Sequence, residues 1–437
     1  MTLLDLTPRV SEASRLSTLP VVIIGAGPIG LAAAAHLVER GIDFVVFEAG
    51  DEVAASVRSW GHTRLFSPWK HLVDPASRRL LEERGWELPD PDRAPTGTEL
   101  VEKYVAPLAA LDEIAPQIRT GVQVIGVTRE GMDRTRTAGR AAAPFAVRIR
   151  TVNGDVEDVA ARAVIDASGT YLSPNSLSSS GLELLGMSDI AAHVTPALPD
   201  VLGRDRAQFA GRRVTVVGAG HSAANTLLAL VQLAREEAGT SVTWLIRNAK
   251  VVRVSSSPGD ELIGRANLGS RVDRAVERGD IALVDGFEII RARRTGDAVE
   301  LVGHRGGEVV DHETDIVVNA TGFRPNLDIL REIRLDLDEI VEAPRRLAPL
   351  IDPNVHSCGT VEPHGFRELT HPEQGFFIVG MKSYGRAPTF LLATGYEQVR
   401  SVTAWIAGDT TSASNAELVL PATGVCSTDA ANGGGCC

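Results

Sequence analysis

The stretch "PVVIIGAGPIGLAAAAHLVERGIDFVVFEAG", residues 20–50, decides the fold that the sequence predicts. A β-branched run at 21–24 leads into the glycine-rich turn GAGPIG at 25–30, and an alanine-rich segment typical of a helix follows. A second apolar run occupies 44–47. Strand, glycine turn, helix and strand in this order predict a βαβ unit that binds a dinucleotide.

Each glycine of the turn has a separate physical task. Gly25 permits the tight turn, Gly27 lets the backbone approach a pyrophosphate, and Gly30 lets the helix pack closely on the strand. The phosphates are expected at the helix N-terminus beside Pro28, where free N–H groups and the helix dipole favour anions. Glu48 ends the second strand, where an acid accepts hydrogen bonds from a ribose.

The same pattern returns in "RRVTVVGAGHSAANTLLALVQLAREEAGTSVTWLIRN", residues 212–248. A strand is predicted at 214–217, a helix follows the turn, and a second strand is predicted at 242–246. The cofactor-binding residues expected in this second turn are Gly218, Gly220, His221, Ser222 and Ala223.

The residue after the second strand of this repeat is Arg247 rather than an acid. A guanidinium binds a 2′-phosphate through two hydrogen bonds, whereas a carboxylate repels it. The second unit is therefore expected to prefer NADPH to NADH.

Two further apolar runs end in glycine-containing segments, "VIDASGTYLSP" at 164–174 and "VVNATGFRPN" at 317–326. Gly169 and Gly322 supply the backbone freedom that a close crossing of strand and loop needs. Each segment is expected to cross between two nucleotide-binding domains, near one of the glycine-rich turns.

The order of turn, crossing, turn and crossing resembles the two-dinucleotide-binding-domain flavoproteins, the superfamily of pyridine nucleotide-disulfide reductases and class B flavin monooxygenases. The resemblance implies an α/β fold of two Rossmann-like three-layer domains, with the NADPH domain inserted in the FAD domain. The implied division is an N-terminal arm at 1–18, an FAD-binding domain at 19–204 and 316–408, an NADPH-binding domain at 205–315, and a flexible Cys-containing tail at 409–437.

Residues 375–408 are similar to the last strand and closing helix of that superfamily, whose N-terminal end faces the flavin. Its members usually hold the FAD ribityl chain with an Asp after the strand's final glycine. Met381 follows Gly380 here, which agrees better with monooxygenase-like members than with reductases. Arg386 and Thr389 are expected either to meet the carbonyl end of the flavin or to cap the helix.

The placement of the cysteines separates two kinds of chemistry. Reductases of the superfamily hold a Cys pair after the FAD-binding acid or in the NADPH domain, and neither segment contains Cys here. Dithiol exchange at the flavin is excluded, because exchange needs a thiolate. The monooxygenase fingerprint F-x-G-x-x-x-H is only partly present, since His193 fits but Met187 and Asp189 replace Phe and Gly.

The stretch "RLFSPWKH", residues 64–71, is the candidate flavin-facing wall. Trp69 is expected to pack on the ring, and Lys70 or His71 to stabilise negative charge during oxygen activation. The alternative is a surface turn with a buried Trp. Cys358 lies in a segment expected to form a loop over the active site, where its thiol would receive a soft substrate.

The chain ends in "DTTSASNAELVLPATGVCSTDAANGGGCC", residues 409–437, which has no hydrophobic period and predicts a mobile tail. Its vicinal pair, Cys436 and Cys437, resembles the pair that closes mercuric reductase. With Cys426 these thiols are candidate ligands for a soft metal or metalloid such as Hg(II) or As(III). The alternative is an adventitious Cys-rich end.

Charge and composition exclude other classes. The 437 residues carry a net charge of -12, which argues against a nucleic-acid partner, since such binding needs a basic surface. The apolar run at 19–38 is interrupted by the glycine turn, so no membrane span is expected. The absence of a signal-peptide pattern and of a disulfide framework favours a cytoplasmic protein. A small-molecule substrate is expected, and a homodimer is possible.

Three functions follow from these observations. The first is an NADPH-dependent FAD monooxygenase that oxidises a soft nucleophile, with a trivalent arsenical or a thiol compound as candidate. The second is a reductase that uses the C-terminal cysteines for disulfide or metal chemistry. The third is a flavin-based redox or metalloid sensor.

Overall fold

Two parallel five-stranded sheets organise the chain in the computed structural model, which describes residues 16–248, 263–352, 361–387 and 390–417. The strands are β1 (Val21–Ile24), β2 (Phe44–Phe47), β3 (Ile118–Arg119), β4 (Val122–Arg129), β5 (Phe145–Thr151), β6 (Val156–Ala161), β7 (Ala163–Asp166), β8 (Val194–Pro196), β9 (Arg213–Val217), β10 (Ser241–Leu245), β11 (Ala282–Val284), β12 (Glu288–Thr295), β13 (Ala298–Arg305), β14 (Glu308–Thr314), β15 (Ile316–Asn319) and β16 (Phe376–Ile378).

The helices lie between and around these strands. They are α1 (Pro28–Glu39), α2 (Ala55–Ser59), α3 (Pro75–Glu82), α4 (Gly97–Leu100), α5 (Ala106–Ala109), α6 (Met187–Ile190), α7 (Arg206–Phe209), α8 (His221–Glu236), α9 (Ile263–Glu277), α10 (Ala348–Ile351), α11 (Phe366–Leu369), α12 (Leu392–Ile406) and α13 (Thr410–Ser414), with short 3₁₀ turns and one π-helical turn at Val101–Val105. None of the helices in the described residues has the length and apolar character needed to cross a bilayer.

The first sheet has the strand order β16-β7-β1-β2-β3. Every residue of β1 and β7 is buried, which explains why both strands are continuous apolar runs rather than alternating ones. Helix α1 packs on this sheet and against α12, and Leu31 and the four alanines that follow it are fully buried. Small side chains suit this position because the helix is covered on both sides.

The second sheet has the order β11-β10-β9-β15-β8, and it is also parallel. Two antiparallel three-stranded sheets, β4-β5-β6 and β12-β13-β14, add a further layer to each parallel sheet. The predicted α/β fold of two Rossmann-like three-layer units is confirmed.

Two connections link the parallel sheets, and they run side by side. Pro174 pairs with Phe323 in an isolated antiparallel bridge. The backbone N–H of Asn175 donates to the Gly322 carbonyl at 2.9 Å, and the Asn319 side chain donates to the Asn175 carbonyl at 2.9 Å. The two glycine-containing segments that the sequence singled out therefore lie at the crossings between the units.

The strand membership of the second sheet differs from both predicted boundaries of the NADPH-binding domain, 205 and 315. Strand β8 precedes residue 205 and β15 follows residue 315, yet both belong to the second sheet. The physical reason is pairing: β15 uses one edge to pair with β9, and β8 covers its other edge. The second unit therefore begins earlier and ends later than the sequence indicated.

The segment after α12 also differs from the expectation of a tail that begins at 409. Helix α13 is capped by the Asp409 carboxylate and packs on α12. The Arg400 guanidinium is tied to Glu397 and donates to the backbone carbonyls of Ser412 and Asn415. These contacts extend the structured chain to Glu417, where the described residues end.

Gly218 lies in the second glycine turn, which packs against Ala320 at the end of β15. A substitution at Gly218 tests whether this packing requires glycine. The φ of Gly218 is +129° and an added Cβ would overlap the Ala320 carbonyl oxygen. We expect Gly218→Ala to lower the free energy of unfolding by about 3 kcal/mol, from steric overlap and backbone strain together. Gly279→Ala is the matched control, because Gly279 has φ +76° with open space around its Cβ, and about 1 kcal/mol is expected. Urea denaturation of both variants measures the difference, and equal losses would contradict the packing argument.

Candidate active site

The first glycine turn is held by a close approach to the end of β7. Gly25 has φ +98°, and an added Cβ would lie 2.9 Å from the Ala167 carbonyl oxygen. A Cβ on Gly30 would overlap the Gly25 carbonyl. Gly27 is different, since nothing lies within 4 Å of its Cβ position. Two glycines are thus required by packing, and the third leaves open space where the backbone faces a ligand.

The N-terminus of α1 suits an anion. Gly27 is its N-cap, no side chain caps its first turn in the described residues, and that turn contains no acid. Glu48 is fixed beside the turn, because its carboxylate accepts from the Ala26 N–H at 2.7 Å and from the Gly50 N–H at 2.9 Å. This arrangement fits the pyrophosphate and ribose of a dinucleotide.

The second turn repeats this geometry on α8. Gly218 packs on Ala320 of the second crossing, and Gly220 is the N-cap, with no described atom within 4 Å of its Cβ position. Among the described residues no side chain caps α8, and its first turn contains no acid. Ala223 is fully buried at the position of the third glycine, where the helix packs on the sheet. The residues present therefore fit a second dinucleotide.

Arg247 lies exposed at the end of β10 and donates to the Ser179 carbonyl at 3.2 Å. Its guanidinium is placed beyond the carboxyl end of the strand, as the prediction of a 2′-phosphate contact requires. The site is electrostatically suited to NADPH, because the position that an acid occupies in NAD-binding units carries a cation here.

A pocket of about 260 Å³ lies where the two units meet. One side comes from residues 60–72, another from the first turn of α8, and a third from the start of α12. Its lining residues are Trp60, Thr63, Arg64, Leu65, Phe66, Ser67, Leu72, Leu198, His221, Ser222, Asn225, Phe390, Leu391 and Leu392. Aromatic and aliphatic side chains dominate, which favours exclusion of water from the pocket.

Phe66 joins the two units at this pocket. Its ring lies 5.0 Å from that of His221, centroid to centroid, and its side chain packs on the core of the second unit. Leu198 on the facing wall has φ +59°, a conformation that non-glycine residues rarely adopt and that is common at functional sites.

Residues 64–67 of the stretch 64–71 line the pocket. The three residues of this stretch that the sequence predicted to face the flavin do not. Trp69 is fully buried in the core of the first unit and does not line the pocket. Lys70 is exposed and pairs with Asp92 at 2.9 Å, and His71 also lies outside the lining. The prediction that Trp69 forms the flavin-facing wall is corrected, because a ring with no exposed surface has none to offer a cofactor.

Sequence reasoning missed Trp60 and Asn225, and it quoted Phe66 without choosing it. The short spacing from Phe66 to Trp69 contained no signal to separate them, since both are aromatic residues in one turn. Arg386 is exposed and lies two residues before the break in the described chain at 388–389. Five further predicted residues lie outside the described chain, namely Cys358, Thr389, Cys426, Cys436 and Cys437.

His364 and His371 are both buried, in separate places. His364 donates from Nδ1 to the Glu362 carbonyl at 3.0 Å and accepts from the Gln398 amide at 2.9 Å. Burial lowers the pKa of His364 below its ordinary value, which keeps the ring neutral. His371 accepts from the Asp336 N–H, and burial lowers its pKa to about 4. No group of metal-ligating side chains occurs in the described residues.

A buried ion pair lies beside the first turn. The Lys382 ammonium contacts the Asp166 carboxylate at 2.7 Å, and their side chains are 1% and 0% exposed. Ser168 bonds to both partners. A lone lysine two residues after a glycine carries no sequence signal, so this pair was not predicted.

Two protein-family models match the chain. The FAD-dependent oxidoreductase model covers residues 20–185, and the pyridine nucleotide-disulphide oxidoreductase model covers residues 146–357. The chain is also 30% identical over 232 residues to indole-3-pyruvate monooxygenase YUCCA1 of Oryza sativa subsp. japonica, covering 52% of this chain and 47% of that protein. It spans about half the length of the curated relatives it matches.

Solved structures share the fold over most of the chain. Bacillithiol disulfide reductase from Bacillus cereus has a TM-score of 0.64 at 20% identity, covering 89% of this chain and 99% of that one. Ornithine N-hydroxylase from Kutzneria sp. 744, solved with reduced FAD, NADP⁺ and L-ornithine, has a TM-score of 0.59 at 17% identity, covering 90% and 99%.

Fold, site and family models together define a two-domain FAD and NAD(P) flavoprotein of the oxidoreductase class. The matching family models give FAD and a pyridine nucleotide as the cofactors of the chain. Monooxygenases and disulfide reductases both occur among its matches.

Substitution of the two open glycines tests the expectation that the first turn binds FAD and the second binds NADPH. We expect Gly27→Ala to weaken FAD binding at least tenfold while NADPH binding stays unchanged, because the new methyl occupies the space of the pyrophosphate. Gly220→Ala should do the reverse, so that each variant is the control for the other. Titrations of FAD into apoprotein and of NADPH into the FAD-loaded protein measure both constants. Loss of both cofactors in either variant would contradict the assignment.

His371 makes the stability depend on pH. Between its ordinary pKa of 6.5 and about 4, the unfolded chain binds a proton that the folded chain does not, so stability falls as pH falls through this window. We expect this group to remove about 3 kcal/mol of stability by pH 4. His371→Asn retains an acceptor for the Asp336 N–H and should flatten that slope. Urea unfolding of both proteins from pH 7 to 4 checks this, and parallel curves would refute it.

Proposed function

We propose that the chain is an NADPH-dependent FAD monooxygenase that oxidises a soft nucleophilic small molecule. The observation that carries this proposal is the pocket between the two units. Its described lining is largely apolar and contains no cysteine, so it offers walls for a substrate but no thiol for disulfide exchange. It lies where the first turn of α8 meets residues 60–72 and the start of α12, a position that suits a site where the ring ends of both cofactors meet.

The residues of this chain bind, orient and exclude water. The amides at the start of α1 and α8 hold the two pyrophosphates, and Arg247 selects the 2′-phosphate. Phe66, Trp60 and Phe390 form the apolar wall. Bound FAD supplies electron transfer and oxygen activation, which protein side chains cannot provide. In the overall reaction NADPH gives two electrons, one oxygen atom of O₂ passes to the substrate, and the other leaves as water.

A trivalent arsenical or a thiol compound is the candidate substrate. Both are soft nucleophiles with a lone pair that accepts an oxygen atom. The vicinal cysteines at 436 and 437 support this choice on sequence grounds, because neighbouring thiolates suit capture of a thiophilic ion before oxidation. The proposal includes a reducing, cytoplasmic compartment, because the cysteine spacing of the sequence does not form a disulfide framework. A homodimer also remains part of the proposal.

A full-length variant with all four cysteines replaced by serine separates the proposed functions. The monooxygenase retains NADPH oxidation and oxygen uptake in equal amounts with substrate present, and releases hydrogen peroxide without it. A reductase that uses the C-terminal thiols loses turnover with this variant. A sensor binds FAD in both proteins and reacts very slowly with NADPH.

The measurement follows NADPH absorbance, dissolved oxygen and peroxide in parallel, with arsenite and small thiols as probes. Wild-type protein is the control for every condition. Absence of NADPH oxidation under all conditions removes the monooxygenase proposal. NADPH oxidation without matching oxygen uptake in the wild type, lost in the cysteine-free variant, replaces it with the reductase.

A further inference from the structure

The buried pair of Lys382 and Asp166 has no part in the function proposed above, and it is costly to place there. Two fully buried charges lose their hydration, and this loss is offset only by close and well-satisfied contacts. Asp166 has such contacts: its Oδ2 accepts from the Lys382 ammonium at 2.7 Å, and its Oδ1 accepts from the Ser168 hydroxyl at 2.6 Å. Removing the lysine would leave a buried carboxylate uncompensated.

The pair lies at the crevice that binds FAD. From β1 the chain adds β2 and β3 on one side and later β7 and β16 on the other. The order of strand addition therefore reverses between β1 and β7, although all the strands are parallel. Ligands of such sheets bind beyond the carboxyl ends of the strands at this point. Asp166 ends β7 in register with Ile24, which directly precedes the glycine turn.

The turn that carries Lys382 touches the same site from the other side. A Cβ on Gly380 would lie 3.2 Å from the Ile29 side chain in the first turn of α1. The Val379 N–H donates to the Asp166 carbonyl at 2.9 Å, and the Gly380 N–H donates to Gln398 at 2.7 Å. The 380–384 turn is therefore fixed against both the strand end and the phosphate-binding helix.

We propose that Lys382, held by Asp166, is a positioning residue for FAD. It fixes the 380–384 turn over the crevice and neutralises a carboxylate that would otherwise repel the cofactor's phosphates. Met381 follows Gly380 in this chain, so no acid stands directly after the last glycine of the strand. Here an internal ion pair one residue further on stabilises the turn. The inference rests on FAD binding alone and not on oxygenation.

Lys382→Met tests the proposal. We expect its FAD dissociation constant to rise at least about tenfold, because the uncompensated Asp166 carboxylate lies level with the residue before the phosphate turn. The midpoint potential of the bound flavin should become more negative, since nearby negative charge opposes the gain of electrons. Lys382→Arg should stay within about threefold of the wild-type dissociation constant.

The double variant Asp166→Asn with Lys382→Met isolates the charge. It removes both partners, so no buried charge is left without compensation, and most of the FAD affinity should return. If Lys382→Met does not fold, Lys382→Gln replaces it, because glutamine keeps a donor to Asp166 without the charge. A raised FAD dissociation constant is expected there too.

Arg129→Met is the control for the structural effect of removing a buried cation. Arg129 contacts the buried Glu373 at 2.8 Å, and these side chains are 1% and 2% exposed, while Arg140 also contacts Glu373 at 2.7 Å and still compensates its charge in the variant. Glu373 lies just before β16, at the amino ends of the parallel strands, whereas the crevice lies at their carboxyl ends. This variant should lose stability and keep wild-type FAD affinity and flavin absorbance.

Titration of FAD into each apoprotein, with flavin absorbance and redox potentiometry, gives the result. Wild-type FAD affinity in Lys382→Met or in Lys382→Gln overturns the inference. An equal loss in Arg129→Met, or no recovery in the double variant, also overturns it. If FAD binding changes as expected while no NADPH oxidation is found, the proposed function fails and this inference stands.

Discussion

The structure depends on two close approaches between a glycine turn and a neighbouring strand end. Gly25 meets Ala167, and Gly218 meets Ala320, at distances that no side chain allows. In each unit the contact brings a crossing segment against the turn that binds a dinucleotide. The same contact therefore opens the helix N-terminus to phosphate and fixes the connection that leads to the other unit. Cofactor binding and domain organisation share one steric constraint.

The pocket lies at the junction of the two units. Residues 60–72 and the start of α12 line it from the first unit, and the first turn of α8 lines it from the second. Phe66 packs across the junction onto the second unit. Its surroundings are largely apolar, so charge is supplied by the cofactors and a few polar side chains. A site of this kind protects a reactive cofactor from water, and the monooxygenase proposal needs that property.

Buried charges stabilise the loops of the first unit rather than its sheet. Lys382 with Asp166 and Arg129 with Glu373 each join a loop or turn to a strand end. Arg400 with Glu397 joins α12 to the segment that follows it. Such pairs contribute little net stability over an apolar core, but they are satisfied in only one geometry. They therefore specify the positions of the segments that they join, and of the three pairs only Lys382 with Asp166 lies at the cofactor crevice.

The sequence by itself determined both glycine turns, the strands around them and the two crossings. These features are local, since the spacing of Gly, β-branched residues and alanine suffices to specify each βαβ unit. Only the tertiary structure decided that β8 and β15 join the second sheet, that Phe66 rather than Trp69 lines the pocket, and that Lys382 meets Asp166. The last two partners are 216 residues apart, and local spacing cannot encode which side chains a sheet brings together over such a distance.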